Sequence, residues 1–365
     1  MNKVFKIVWS HSLNKMVVVS ELAKSGGKQS SKTIGAISFS FAALFAGSVM
    51  AAPVPAGENK IPHGKAKINT VGDVTNITQS TPKVIINWNS FNIDSAETVN
   101  FIQTFKDGSA NDGAIALNRI KGDGRSMING TLNANGHVFL VNTNGVTFGK
   151  GAEVDVGGLV VSTLSISNNN FKRGNYQFIN ESDSENGEIV NSGEITASRG
   201  AFLANKIRNE GLIMVSARAA SPGFSPDSSD THHDVALVTG NKILLSFTEG
   251  LPISVEITEG KLEELTDEDD VFNVGEITAD GGNILLIASS DMYAAAVNNS
   301  GTLKATGFVT DRTTGKIVLR AGLQSADSPG GKATLAGKVL DARRVVVSGS
   351  IINIDSKFKF KFNLK

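Results

Sequence analysis

A nine-residue frame recurs four times in this chain, and it narrows the possible folds more than any other feature. Ile189-Val190-Asn191-Ser192-Gly193-Glu194-Ile195-Thr196-Ala197 matches Ile207-Arg208-Asn209-Glu210-Gly211-Leu212-Ile213-Met214-Val215, and the order apolar-x-Asn-x-Gly-x-apolar-x-small returns at residues 271–279 and 297–305. A second short strand follows three of the copies after a turn, at residues 200–204, 282–287 and 315–319. The pattern has a period of two, and helix signals are few. A repeat of about 18 to 26 residues made of strands, glycines and asparagines is what one coil of a parallel β-helix requires. Each coil adds one strand to each sheet, about 4.8 Å further along the axis. Ile195, Ile213, Ile277 and Leu303 are then expected to stack inside, and the turn asparagines Asn191, Asn209, Asn273 and Asn299 to form a side-chain ladder. A single coil buries little, so stability must come from stacked neighbours, with a cap at each end. An antiparallel sandwich of irregular hairpins accounts for the strands but leaves the common register unexplained.

The composition excludes several alternatives. The chain has 365 residues, 40% of them hydrophobic, and no cysteine. It can bury a core, while disulfide scaffolds, thiolate metal sites and cysteine nucleophiles are impossible. Its 35 basic and 35 acidic side chains balance, which argues against nucleic acid as a partner, since a phosphate-binding surface needs a basic excess. The balance conceals an asymmetry. Residues 1–51 carry six lysines and one acid, Glu21, leaving the body near −5.

That basic segment reads as a targeting peptide. Its lysines precede an apolar run over residues 34–49 that is broken by glycines and serines and is shorter than the ~20 strongly apolar residues of a spanning helix. Val49-Met50-Ala51 suits a signal peptidase, so cleavage is placed between Ala51 and Ala52. The segment is longer than a standard signal of about 15 to 30 residues. Its extra front half opens with Met1-Asn2-Lys3-Val4-Phe5-Lys6-Ile7-Val8-Trp9-Ser10. That decapeptide resembles the extended signal region of very large surface proteins of Gram-negative bacteria.

Two stretches interrupt the repeat and are read as extruded loops or a short helix. Residues 217–234 are rich in Ser, Pro, Asp and His, and residues 256–270 hold eight acids and one lysine. Neither has metal-ligand spacing: the EF-hand pattern is absent, and His232-His233-Asp234 would point in alternating directions on an extended chain. No metal and no cofactor are expected. No catalytic motif is present, and no catalytic residue is assigned. Asp94, Asp107, Asp112 and Asp123 would have to converge in one cleft for a β-helix polysaccharide enzyme, the remotest alternative.

The most specific stretch lies between Asn69 and Leu164. It contains Ile86-Asn87-Trp88-Asn89-Ser90-Phe91-Asn92-Ile93, then Ala116-Leu117-Asn118-Arg119-Ile120, Ile128-Asn129-Gly130-Thr131-Leu132-Asn133-Ala134-Asn135-Gly136 and Val138-Phe139-Leu140-Val141-Asn142-Thr143-Asn144-Gly145-Val146. In order and spacing this resembles the N-terminal secretion domain of filamentous haemagglutinin-like exoproteins of two-partner secretion, most closely the high-molecular-weight adhesins. The resemblance is strong over about residues 55–215. It implies an all-β, right-handed parallel β-helix with an N-terminal cap and extruded loops, preceded by a cleavable signal peptide. The organisation is then residues 1–51 extended signal peptide, 52–180 secretion domain and 181–365 further coils, in all about 14 coils at about 22 residues each. One departure stands out: Thr143 occupies the place where the family usually has proline, which loosens the turn without abolishing it.

The resemblance also implies partners. The general inner-membrane export machinery would deliver an unfolded chain to the periplasm, where the periplasmic domains of a dedicated outer-membrane transporter would capture it. The folded product would lie on the cell surface or outside the cell, facing a host-cell receptor or glycan. Absence of cysteine fits this route, because no periplasmic disulfide can trap the chain before it threads a pore. Asn142, Thr143, Asn144 and Gly145, with Asn118 and Arg119 on a nearby coil, are the candidate transporter-recognition residues. An adhesin-type exoprotein is the first reading; the secretion region of a contact-dependent toxin or cytolysin is the alternative.

Overall fold

The structure, a computed structural model, describes residues 52–58, 60–181, 187–217, 232–248, 251–259, 270–289, 296–306, 314–322 and 331–355, and the backbone of residues 5–10, 15–20 and 359–361. The chain divides into two units, Met1–Ser48 and Val49–Lys365. In the first, Phe5–Ser10 pairs antiparallel with Lys15–Ser20. The apolar run at 34–49 and Ala51 lie outside the described residues.

The second unit is a parallel β-helix with three faces. Strands of the first face include Val74–Gln79, Thr98–Gln103, Glu194–Ala197, Leu212–Val215, Glu276–Asp280 and Thr302–Thr306, each parallel to its neighbour along the axis. Strands of the second include Lys83–Ser90, Ile115–Ile120, Gly200–Ala204, Val235–Thr239 and Ile284–Ala288. The third face is an eight-stranded sheet running from Ser126–Ile128 to Ile351–Ile354. Two long strands, Thr131–Val141 and Glu153–Ser162, turn the corner between the first two faces and pair with neighbours on both. The corner lies at a register shift between Ala134 and His137, where a Cβ on Gly136 would crowd the Ala114 carbonyl oxygen at 2.6 Å.

The four repeats lie in one parallel register. Ile195, Ile213, Ile277 and Leu303 are direct partners on successive coils, and all four are buried in one continuous core. An antiparallel sandwich is thereby excluded. Among the described residues the stack has fewer three-faced turns than 14: the third face holds eight strands, and several elements between residues 165 and 260 belong to none of the three faces.

Those elements form a layer of their own. Residues 168–173 form a short helix capped by Ser167, whose Oγ accepts from Asn170 N at 3.1 Å, and by Gly174 in the left-handed region. Tyr176–Ile179, Lys242–Ser246 and Ser254–Glu259 form an antiparallel three-stranded sheet. Helix and sheet lie over the outer side of the second face and enclose a second apolar core, which includes Leu117, Phe139, Phe171, Tyr176, Phe178, Ile243 and Phe247. Residues 256–259, read from sequence as the start of an acidic loop, belong to this sheet; 260–269 and 218–231 lie outside the described residues.

The N-terminal end of the β-helix is covered by antiparallel strands. Val54–Pro55 and the stretch up to His63 lie along the free edge of Lys83–Ser90, and Ala66–Val71 pairs with Val74–Gln79. This satisfies backbone groups of the two first-coil strands, which would otherwise present an open sheet edge.

Candidate functional site: the Asn142–Gly145 turn and its supports

The turn joins the second face to the third. Gly145 N donates to Asn142 O at 3.0 Å, closing a β-turn, and Gly145 has φ of 110°, a conformation that favours glycine. Asn142 is fully buried. Its Nδ2 donates to Gly124 O and Ser126 Oγ, both at 3.0 Å, while its Oδ1 accepts from Asn144 N at 3.0 Å. Asn144 Nδ2 donates to Gly122 O on the preceding coil at 2.9 Å. On the other side Gly187 N donates to Thr143 O at 2.8 Å. The turn is held between neighbouring coils, and its carboxamides replace backbone partners that a turn cannot supply.

Asn118 and Arg119 face opposite ways on one strand. Asn118 is interior: its Oδ1 accepts from Trp88 Nε1 at 3.0 Å and its Nδ2 donates to Ala116 O at 3.2 Å. Arg119 faces outward and anchors the start of the short helix, donating to Ile166 O at 2.6 Å and Asn168 Oδ1 at 2.7 Å. Burial pulls its guanidinium below the ordinary range, partly offset by Glu181. In the folded domain the Asn118 and Asn142 carboxamides are enclosed and hydrogen-bonded, and of the six candidate recognition residues only Thr143 and Asn144 are exposed.

The repeat asparagines form a chain of amide bonds inside the third corner. Asn191 donates to Asn209 at 2.8 Å, Asn209 to Asn273 at 2.7 Å and Asn273 to Asn299 at 2.6 Å. The glycine two residues after each asparagine is dictated by close approach: a Cβ on Gly211 would overlap the Gly193 carbonyl oxygen, on Gly275 that of Gly211 and on Gly301 that of Gly275.

The four aspartates do not share a bonding network. Asp94 and Glu97 close a local turn, Asp107 accepts from Ser109, Asp112 accepts from Asn135 at 2.9 Å, and Asp123 is exposed in the turn at 121–125. The Ser109 bonds hold the Asp107 carboxyl below the usual range. His233 is buried with Nδ1 3.1 Å from Ser198 O. Among the described residues no three His, Asp or Glu side chains gather to hold a metal. Ala52 begins the described part of the second unit and is half-buried.

Sequence reading missed Lys83. Its Nζ donates to Phe171 O at 3.0 Å, near the end of the short helix, and lies 5.5 and 5.2 Å from the Phe171 and Tyr176 ring centres. Burial lowers its pKa. Nothing local marks it, because its partners lie some 90 positions along the chain.

The model of the TPS secretion domain matches residues 54–353, and that of the extended signal peptide of the type V secretion system matches residues 1–49. The chain belongs to the TPS secretion domain family. A crystal structure of the HMW1 secretion domain from Haemophilus influenzae is similar at 31% identity with a TM-score of 0.56, over 79% of this chain and 72% of that one. Two Haemophilus influenzae proteins, each named heme/hemopexin-binding protein, are similar: one at 30% identity over 222 residues, 59% of this chain and 22% of the relative, the other at 38% over 109 residues, 30% and 11%. The chain thus spans about a fifth of the longer-matching relative. As a TPS secretion domain behind an extended signal peptide, it is exported across the outer membrane of a Gram-negative cell to the surface or beyond, and a TPS domain implies an outer-membrane transporter as partner.

Proposed function

We propose that residues 52–180 carry the signal by which the periplasmic domains of that transporter accept an unfolded chain delivered by the inner-membrane export machinery, and that the coils beyond form as an adhesin-type surface stem. The supporting observation is the succession of an extended signal peptide, an antiparallel cap and a coil stack built from one repeated frame. A capped stack of near-independent coils can nucleate locally and propagate, so folding outside the cell can draw the chain outward. The test is co-expression in a Gram-negative host with its transporter. The chain should reach the medium or surface with the transporter, remain in the periplasm without it, and begin at Ala52. Equal release without the transporter overturns the reading.

The name shared by the two relatives supports a second reading, in which the exported protein binds heme or hemopexin. Titration of the secreted chain with heme and with hemopexin decides it; absence of saturable binding to either removes it.

A further inference from the structure

Two buried charged side chains hold the loop of the outer sheet against the coil stack. Arg199 is 1% exposed and stands at the start of the strand Gly200–Ala204. Its guanidinium donates to Thr248 O at 2.6 Å, Leu251 O at 3.2 Å and His232 O at 3.3 Å, and lies 5.3 Å from the Phe247 ring centre. Asp234, one coil further on, is fully buried. Its Oδ2 accepts from Ile253 N at 2.6 Å, and its Oδ1 accepts from Asn283 N at 2.7 Å and Asn283 Nδ2 at 2.9 Å. The loop that links Lys242–Ser246 to Ser254–Glu259 is therefore pinned at 247, 248, 251 and 253 by side chains of two coils, and Asn283 ties in a third.

We infer that Arg199 and Asp234 form a lock that closes the outer sheet over the second face and commits the exported chain to the folded state. This rests on the export reading above. A buried charge without its partners is strongly unfavourable, so both side chains stay hydrated until their partners arrive. Those partners lie up to 52 residues from Arg199 and 49 from Asp234. Whichever end of the chain leaves the transporter first, the lock cannot close until residues 199–283 are all outside. Once closed, withdrawing the chain requires exposing both charges and the aromatic core beneath the sheet. The coil stack alone has no such threshold, because each coil contacts only its neighbours. The lock adds one at a fixed position. Arg199 and Asp234 act as positioning residues; among the described residues His232 and His233 are titratable groups beside them.

Arg199→Lys keeps the charge and removes the guanidinium fork; Asp234→Asn keeps the shape and replaces an acceptor by a donor. Both are made in the full chain and compared with wild type by hydrogen exchange on purified protein and by secreted yield with the transporter. Amides of Tyr176–Ile179, Lys242–Ser246 and Ser254–Glu259 should exchange at least about tenfold faster, those of Thr302–Thr306 should not change, and secreted yield should fall severalfold with chain retained in the envelope. Unchanged exchange of the outer sheet in both variants overturns the lock. Opened sheets with wild-type secretion reduce it to a packing feature and overturn the commitment step. Loss of protection at Thr302–Thr306 in both variants overturns it too, since the residues then belong to the coil fold. Failure of wild-type secretion would instead defeat the export reading, with the exchange result standing apart.

Discussion

The Nδ2 of Asn209 donates to Oδ1 of Asn273 at 2.7 Å across two adjacent coils whose sequence positions are 64 apart. The same Asn209 accepts from Asn191 on its other side. One side chain thus satisfies two neighbours, and its removal leaves a buried donor and a buried acceptor without their partner.

Asn209→Ala should destabilise the stack by about 2–6 kcal/mol, from two unsatisfied groups at roughly 1–3 kcal/mol each. Denaturant unfolding of the secreted chain measures it. Thr334→Ala, at an outward half-buried position of the same face, should stay within about 1 kcal/mol. Equal effects of the two would show that the ladder carries no special stability.

Ile213→Ala should cost about 2–5 kcal/mol, as expected for a packed interior. Its neighbour Met214 points outward and is half-buried, so Met214→Ala should cost less than about 1 kcal/mol. A reversed order would mean that the strand register is shifted by one residue.

The repeat made this register legible in the sequence, because asparagine, glycine and two apolar positions recur with fixed offsets and each offset maps onto one structural place. Nothing comparable announced the outer sheet. Tyr176–Ile179 pairs antiparallel with Lys242–Ser246, a contact between segments that share no frame and are separated by several coil strands. The burial of Asn118 and Asn142 was hidden for a different reason. Asparagine is mostly exposed in proteins, yet in a coil stack interior carboxamides can take the place of backbone partners, and both residues are enclosed here. Chain position told the two uses apart only where the asparagine belonged to the repeat.

Tyr176 provides a pH signature of the outer core. Burial against Phe139 and Phe171 pushes its phenol from an ordinary value of 10.0 up to about 12. A raised folded-state pKa contributes stability that is fully present below the unfolded value and is lost as pH rises through the folded one. Protection of Tyr176–Ile179 should therefore decline between pH 10 and 12, and Tyr176→Phe should remove much of that dependence. An identical pH profile in Tyr176→Phe would assign the decline to other groups.

Thr143→Pro tests the departure of the turn from the family pattern. Thr143 is the second residue of a β-turn closed by Gly145 N on Asn142 O, a position where proline is favoured. Among the described residues the Thr143 N–H donates to no backbone carbonyl, so proline removes no backbone bond there. The substitution should stabilise by about 0.4–1 kcal/mol through the unfolded chain. A loss of stability would show that Asn142 has the backbone angles that proline disfavours in its predecessor.

Asn142→Ala and Asn144→Ala separate folding from recognition at the same turn. Asn142 is enclosed and joins Gly124, Ser126 and Asn144, whereas Asn144 is exposed and reaches back to Gly122. Asn142→Ala should therefore lower stability by about 1–3 kcal/mol and Asn144→Ala by about 1 kcal/mol or less. Binding to the transporter's purified periplasmic part is measured with chain freshly diluted from denaturant and with refolded chain. If recognition acts on the unfolded chain, each substitution weakens binding of the diluted sample regardless of its effect on stability, and secretion falls in proportion to binding. Unchanged binding in both samples, with secretion following the unfolding midpoint, would make these asparagines turn formers alone and place the recognition signal elsewhere in residues 52–180.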